Sequence, residues 1–140
     1  MYFGTWNATA SGWCGGAGPG PWIMVDAENG LWACDQPGAI NPKSVSFPQP
    51  FVTAMVKGGS NGFALKGGDA TQGTLATLYD GARPPGYQPM KKQGALILGI
   101  GGDNSDSATG TFFEGVVTAT YTSDATDDAV QADIVAAYAQ

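Results

Sequence analysis

Residues Pro21–Trp32 read PWIMVDAENGLW, and the rest of the chain is organised around them. Hydrophobic and polar residues alternate with a period of two, which predicts a β-strand with two different faces. One face is apolar and predicts burial; it carries Ile23, Val25 and Ala27. The opposite face combines large apolar residues with two acids; it carries Trp22, Met24, Asp26 and Glu28.

The two acids on this face have two interpretations. Sugars present apolar ring faces and hydroxyl edges, so carboxylates beside aromatic surface fit the floor of a sugar-binding cleft. Alternatively, Asp26 and Glu28 lie in water at a strand end, as most acids do, and Asn29-Gly30 turns the chain. This stretch alone leaves both interpretations open.

Composition favours one all-β domain over residues 1–140. The chain has 22 Gly and 9 Pro, and only 13% of its residues are charged, against about 25% in typical globular domains. Frequent turns with few charges are typical of a secreted antiparallel β-sandwich. We expect a concanavalin-like or jelly-roll-like sandwich.

Charge and histidine content narrow the possible functions. The net charge of −6 disfavours binding to nucleic acid or to anionic membrane surfaces. The chain has no histidine, which excludes Ser-His and Cys-His catalysis and histidine-ligated metal sites within it. Carboxylates must therefore carry any acid–base chemistry, and we expect neither a cofactor nor a metal.

The two cysteines flank the opening strand. Cys14 and Cys34 fit one disulfide better than a metal site, which needs more ligands. The Asn7-Ala8-Thr9 sequon favours a secretory route and an extracellular location. Residues Met1–Phe3 lack the features of a signal peptide, and no apolar run is long enough for a membrane-spanning helix.

Further elements follow from periodicity. Strands are predicted for four alternating runs and for one almost wholly apolar run; these are Phe51–Lys57, Phe63–Lys66, Thr74–Tyr79, Thr111–Tyr121 and Ala95–Ile100. Ser123–Tyr138 is the one predicted helix. Its acids Asp124, Asp127 and Asp128 are expected in its first turns, facing solvent, where the helix dipole favours anions. Its apolar stripe is predicted to comprise Val130, Ile134 and Ala137.

Two residues outside the opening strand have open roles. Trp13, in a Gly-rich loop, is either an anchor pressed on the core or a platform for stacking a sugar. Glu114, on a half-apolar strand face, could orient a catalytic group or simply satisfy a backbone or arginine partner. We favour the structural interpretation of Glu114.

Asp103 is a candidate general acid. It closes the apolar run in a Gly-rich bend, and partial shielding from water would raise the pKa of its carboxyl, as a general acid requires. The alternatives are an Asx-turn and a weak calcium loop with Ser105 and Asp106. The preceding Gly99–Gly102 resembles a phosphate loop, but no helix follows it. Together, Glu28 and Asp103 would form the acid pair of a glycosidase.

Several stretches, taken in order, resemble the catalytic domain of family 54 glycoside hydrolases, the fungal-type α-L-arabinofuranosidase B group. They cover nearly all of the chain, and the likeness is to the C-terminal half of that domain. The stretches are Tyr2–Gly4, Gly20–Leu31, Phe51–Gly59, Gly86–Ala95, Gly99–Ser105, Gly110–Val117 and Ser123–Thr126.

The resemblance implies a β-sandwich and a retaining mechanism, with Glu28 as nucleophile and Asp103 as general acid/base. It also implies substrate contacts from Trp13, Asp26, Asn29 and Gly102. Two functions stay open. The first is an arabinofuranosidase acting on arabinan or arabinoxylan, and the second is a non-catalytic carbohydrate-binding or self-assembling sandwich. For either function we expect a homo-oligomer or a complex that supplies the other half of the sandwich.

Overall fold

The computed structural model describes residues 2–4, 13–26, 30–87 and 110–139. Within these residues the chain forms strands followed by a helix, in this order: β1 (Tyr2–Gly4), β2 (Gly15–Gly16), β3 (Trp22–Asp26), β4 (Leu31–Trp32), β5 (Ile40–Asn41), β6 (Val52–Gly58), β7 (Gly62–Asp69), β8 (Ala76–Ala82) and α1 (Asp124–Tyr138).

The strands form two antiparallel sheets and one short parallel pair. Strand β3 lies between β1 and β4, with Ile23 opposite Phe3 and Asp26 opposite Leu31. The second sheet has the order β6-β7-β8, and β2 pairs in parallel with β5. The predicted antiparallel sandwich with a C-terminal helix is confirmed.

The sandwich core lies between β3 and the second sheet. Ile23 is fully buried there against one face of β7 and β8. Its apolar neighbours in this cluster are Phe47, Phe63, Leu65 and Leu78. The period-two pattern of β3 therefore identified this face correctly.

The opposite face of β3 is also buried, which corrects the sequence-based interpretation. Trp22 and Met24, expected to floor a cleft beside the acids, are 3% and 0% exposed. They belong to a second apolar cluster, which also contains Cys14, Leu31, Trp32, Ala33 and Cys34. Large side chains on both faces of β3 thus serve packing, because loops cover the face that alternation alone left open.

The predicted strands of the second sheet are confirmed with shifted bounds. Phe51–Lys57 corresponds to β6, Phe63–Lys66 lies within the longer β7, and Thr74–Tyr79 overlaps β8. The predicted strand Ala95–Ile100 lies outside the described residues.

The strand predicted at Thr111–Tyr121 is wrong. Residues 110–122 form no strand, and large apolar side chains in this segment are exposed: Phe112, Phe113, Val116, Val117 and Tyr121. Alternation in sequence makes a strand only when a neighbouring strand completes the hydrogen-bond ladder. Among the described residues no strand pairs with this segment.

The helix begins one residue later than predicted, with Ser123 as its N-cap. The Ser123 hydroxyl accepts a hydrogen bond from the Thr126 amide at 3.2 Å. Val130 and Ile134 of the predicted stripe are half-buried, whereas Ala137 is exposed. The fully buried helix side chains are instead Asp127 and Gln131. No helix among the described residues is long and apolar enough to cross a membrane.

Candidate active site

Trp13 lies against the start of β4. Its half-buried side chain packs on the cluster that contains Trp22 and Trp32. Its indole ring occupies the position that a side chain at Gly30 would need, because a Cβ built there would overlap three indole atoms. Trp13 is therefore a loop anchor, as one of its two interpretations predicts, and it is also beside the segment that follows Glu28.

Both the backbone conformation and the available space at position 30 favour glycine over other residue types. The φ of +139° at Gly30 is a backbone conformation that side chains rarely adopt. The indole of Trp13 also leaves no room for a Cβ. The sequence pattern identified Gly30 only as part of a turn, and its contact with Trp13 becomes visible only in three dimensions.

A disulfide fixes the segment that carries Trp13. Cys14 and Cys34 are bonded, with their Cα atoms 5.6 Å apart, so the predicted pairing is confirmed. The Ala33 amide donates to the Cys14 carbonyl at 2.9 Å, and the Gly38 amide donates to the Trp13 carbonyl at 3.2 Å. Residues 13 and 14 are thus linked to the chain that follows β4 by one covalent bond and two hydrogen bonds.

Asp26 ends β3, where its Cα pairs with that of Leu31. Its side chain is half-buried, which fits a residue at the rim of a site. Only three residues, 27–29, separate it from Gly30, and they include Glu28. In sequence, Asp26 and Gly30 therefore flank the predicted nucleophile, and Trp13 lies against Gly30.

Four predicted site residues lie outside the described residues. These are Glu28, Asn29, Gly102 and Asp103. The strand predicted to continue from Asp26 through Glu28 also ends, as far as the structure describes it, at Asp26. The roles assigned to these four residues stay predictions.

Glu114 is exposed and does not lie on a strand, and neither of its two interpretations is tested by its surroundings. The charge of Glu114 and its hydrogen bond raise the pKa of the Tyr138 hydroxyl. Its neighbour is thus the end of α1.

Tyr79 borders both apolar clusters. Its hydroxyl donates a hydrogen bond to the Ala82 carbonyl at 2.8 Å. Burial, together with the nearby charges of Asp35 and Asp80, raises the pKa of the hydroxyl to about 12. At neutral pH Tyr79 is therefore a neutral donor within the packing, which suits a structural role.

Sequence reasoning missed a buried cluster of charges beneath α1. Lys57 and Lys66 have side chains only 6% and 5% exposed, and each lies 2.7 Å from the Asp127 carboxylate. Asp127, predicted to face solvent, is 1% exposed. The prediction is wrong because it considered the helix alone, whereas the lysines come from β6 and β7.

Electrostatics keeps this cluster ionised. Burial by itself would raise the pKa of the Asp127 carboxyl, but hydrogen bonds from Lys57, Lys66 and Thr122 lower it to about 2. Burial opposes protonation of both lysines, yet their carboxylate partners raise the pKa of each ammonium group. Lys57 also lies 4.5 Å from the ring centroid of Tyr121. These charges join the helix to the sheet.

No group of three potential metal-ligating side chains, meaning His, Cys, Asp or Glu, occurs among the described residues. A shallow cleft of about 280 Å³ is lined by Pro50, Phe51, Asp69, Thr71 and Gln72. The Asp69 carboxylate already accepts hydrogen bonds from Thr71 and Gln72. This cleft contains none of the predicted site residues.

Comparison with known proteins places these observations in a family. The family model described as "Alpha-L-arabinofuranosidase B, catalytic" matches residues 1–140. A probable alpha-L-arabinofuranosidase B of Aspergillus clavatus is 57% identical over 139 residues, which is 98% of this chain and 26% of that protein. An alpha-L-arabinofuranosidase of Hypocrea jecorina is 55% identical over 98% of this chain and 27% of its own length.

Solved structures give the same picture. A glutamine-for-glutamate mutant of a glycoside hydrolase family 54 α-L-arabinofuranosidase, soaked with 4-nitrophenyl α-L-arabinofuranoside, superposes with a TM-score of 0.78 at 54% identity. An arabinofuranosidase complexed with arabinofuranosyl-α-1,2-xylobiose gives a TM-score of 0.77 at 53% identity. Each match covers 88% of this chain and 26% of the other. The chain thus spans about a quarter of the length of the relatives it matches.

Proposed function

Because this chain belongs to the alpha-L-arabinofuranosidase B catalytic-domain family, we propose that it is a retaining α-L-arabinofuranosidase unit. The proposed reaction releases terminal arabinofuranosyl residues from arabinan or arabinoxylan. The observation that carries the proposal is the family match over residues 1–140. The position of Trp13 beside Gly30, two residues after the proposed nucleophile, adds geometric support.

In the proposed first step, the Glu28 carboxylate attacks the anomeric carbon of the furanose and forms a covalent glycosyl-enzyme. The Asp103 carboxyl protonates the departing oxygen as the glycosidic bond breaks. In the second step, Asp103 takes a proton from water, which attacks the anomeric carbon and releases Glu28. A retaining mechanism needs the two carboxyl groups about 5–5.5 Å apart.

Substrate binding in this proposal involves four further residues. Asp26 would accept a hydrogen bond from a sugar hydroxyl, and Trp13 would pack against the furanose ring. Asn29 and the backbone at Gly102 would complete the contacts. Asp26 and Trp13, the two that the structure describes, are half-buried, so both keep an accessible surface.

The test is release of 4-nitrophenol from 4-nitrophenyl α-L-arabinofuranoside by the purified chain. Glu28→Gln should abolish turnover and leave arabinofuranoside binding nearly intact. Asp103→Asn should slow substrates with poor leaving groups far more than the activated aryl substrate, because only the former need protonation. Sugar binding without turnover by the unmodified chain would favour a non-catalytic binding module instead.

We also propose that a second polypeptide covers residues 110–121. This partner is either another copy of the chain or the remainder of the family's catalytic domain. The exposed apolar side chains there, including Val116 at 72% exposure, favour association. Val116→Lys should weaken it, whereas Val45→Lys, at another exposed valine, should not. Light scattering that finds a monomer, with and without the remainder of a relative's catalytic domain, would contradict this proposal.

An extracellular location belongs to the proposal as well. The Cys14–Cys34 disulfide supports it, because disulfides persist in oxidising compartments and are rare in the cytosol.

A further inference from the structure

Gly30 and the Cys14–Cys34 disulfide both restrict the position of Trp13. The indole occupies the space next to the Gly30 backbone, where a Cβ would overlap it. The residue after Trp13 is bonded through sulfur to Cys34, three residues beyond the start of β4. Trp13 is therefore restricted by a covalent link at the next residue and by the close contact of its indole with the Gly30 backbone.

We propose that Gly30 is a positioning residue that fixes the place of the Trp13 indole at the start of β4. This inference rests on the proposed function, in which Trp13 packs against the furanose ring and Glu28 attacks it. In this proposal Gly30 acts through the indole, which its missing Cβ accommodates. The chemistry it serves is recognition of a furanose ring whose anomeric carbon must face a carboxylate.

Three features of Gly30 and its surroundings support this role. Gly30 directly precedes β4 with a φ of +139°, a conformation that glycine adopts without strain. The missing Cβ lets the indole approach the main chain closely. Because Asp26 and Leu31 pair across β3 and β4, this close approach is anchored to the sheet. A shift of the indole would therefore move the proposed ring-binding surface relative to β3 and β4.

The test compares two glycine-to-alanine variants of the full chain. Gly30→Ala adds a Cβ where the indole lies, in addition to the backbone strain. Gly73→Ala is the matched control, because Gly73 also has a positive φ of +76° but nothing lies within 4 Å of an added Cβ. Gly30→Ala should lower kcat/KM for the aryl arabinofuranoside about 100-fold, in line with small displacements in active sites. Gly73→Ala should leave kcat/KM unchanged.

A double-mutant cycle with Trp13→Ala separates positioning from folding. If Gly30 acts through the indole, Gly30→Ala should cause little further loss of kcat/KM once Trp13 is alanine. Part of the loss in Gly30→Ala should appear as a raised KM, since ring packing contributes to ground-state binding. If Gly30→Ala does not fold, the Gly30→Ala/Trp13→Ala variant should fold again, because the overlap is gone.

Four results would overturn the inference. Equal kcat/KM for Gly30→Ala and Gly73→Ala in an active chain would refute positioning while leaving the proposed function intact. Full additivity in the cycle, or failure of the double variant to fold, would assign the defect to backbone strain. If the unmodified chain neither binds nor cleaves the arabinofuranoside, the proposed function fails and the positioning role fails with it.

Discussion

The two sides of the β6-β7-β8 sheet are stabilised by different interactions. The side facing β3 is apolar, and beyond β3 a second apolar cluster includes the disulfide-bonded cysteines. The side facing α1 carries Lys57 and Lys66, which pair with a buried aspartate of the helix. Alternation along the strands places the apolar and the charged side chains on opposite sides of the sheet. Met55 pairs with Lys66 and Val56 pairs with Leu65, so neighbouring positions face opposite layers.

The apolar layer and the helix layer should respond differently to substitutions. Apolar packing loses stability in proportion to the contacts removed, so single changes are graded. A buried ion cluster is stable only when it is complete, since removing one partner leaves uncompensated charge in a dry environment. The helix layer should therefore fail more abruptly than the β3 layer.

Removal of the Asp127 carboxylate should have the largest effect on stability, and it tests whether the helix layer fails abruptly. Asp127→Ala leaves two buried ammonium groups with Asp124, 79% exposed, as their only carboxylate partner among the described residues. It should lower the free energy of unfolding by about 3–5 kcal/mol. Urea unfolding followed by circular dichroism measures the change. Asp128→Ala, an exposed acid in the same turn, is the control and should have little effect.

Replacing Lys57, Lys66 and Asp127 together tests whether electrostatics explains the stability of the helix layer. A Lys57→Met/Lys66→Met/Asp127→Leu variant should be close to the unmodified chain in stability, because a packed apolar triad needs no charge compensation. A triple variant as unstable as Asp127→Ala would contradict the electrostatic explanation of this layer.

Loss of the disulfide is the next largest effect. The Cys14→Ser/Cys34→Ser variant should lower the free energy of unfolding by about 3 kcal/mol, because the unfolded chain regains the freedom of a 20-residue loop. Amide hydrogen exchange locates the damage. The Ala33 amide, bonded to the Cys14 carbonyl, should lose protection, while the amides of α1 keep theirs. Equal loss in both places would show that the two layers unfold as one unit.

Acid should act on the helix layer selectively, with a smaller effect. The pKa of Asp127 is lowered from 3.8 to about 2, so its contribution to stability is complete above about pH 4 and is lost as pH falls towards 2. Far-ultraviolet circular dichroism between pH 5 and 2 should report loss of helix signal in this window. Asp127→Ala should lack this acid-dependent step. Its persistence would mean that another carboxyl controls the transition.

The smallest expected effect concerns the start of α1. Ser123→Ala removes the acceptor for the Thr126 amide and should lower the free energy of unfolding by about 1 kcal/mol. Thermal unfolding measures it, and Ala125→Ser, at an exposed position inside the first turn, serves as the control. A loss as large as that of Asp127→Ala would mean that the cap, rather than the ion cluster, holds the helix.

Much of the fold was predictable from local patterns. Periodicity predicted the helix and strands β3, β6, β7 and β8. The pairing of Cys14 with Cys34 follows from the presence of one cysteine on each side of a strand. Local patterns failed at residues 111–121, where alternation was present but no described strand completes a ladder. For the site, the sequence predicted Trp13 and Asp26, whereas the contact between Trp13 and Gly30 depends on a turn whose geometry no local pattern encodes.

The fold class, the disulfide and the family follow from the sequence, because each of these depends on residue identity or on spacing along the chain. The packing of separate elements, in contrast, makes Trp22 and Met24 part of the core, buries Asp127 with two lysines and leaves room for an indole at Gly30. The physical reason is distance along the chain. Lys57 and Lys66 are 70 and 61 residues from Asp127 in sequence but within 2.7 Å of its carboxylate in space. Burial and pairing of this kind arise only when separate elements pack together.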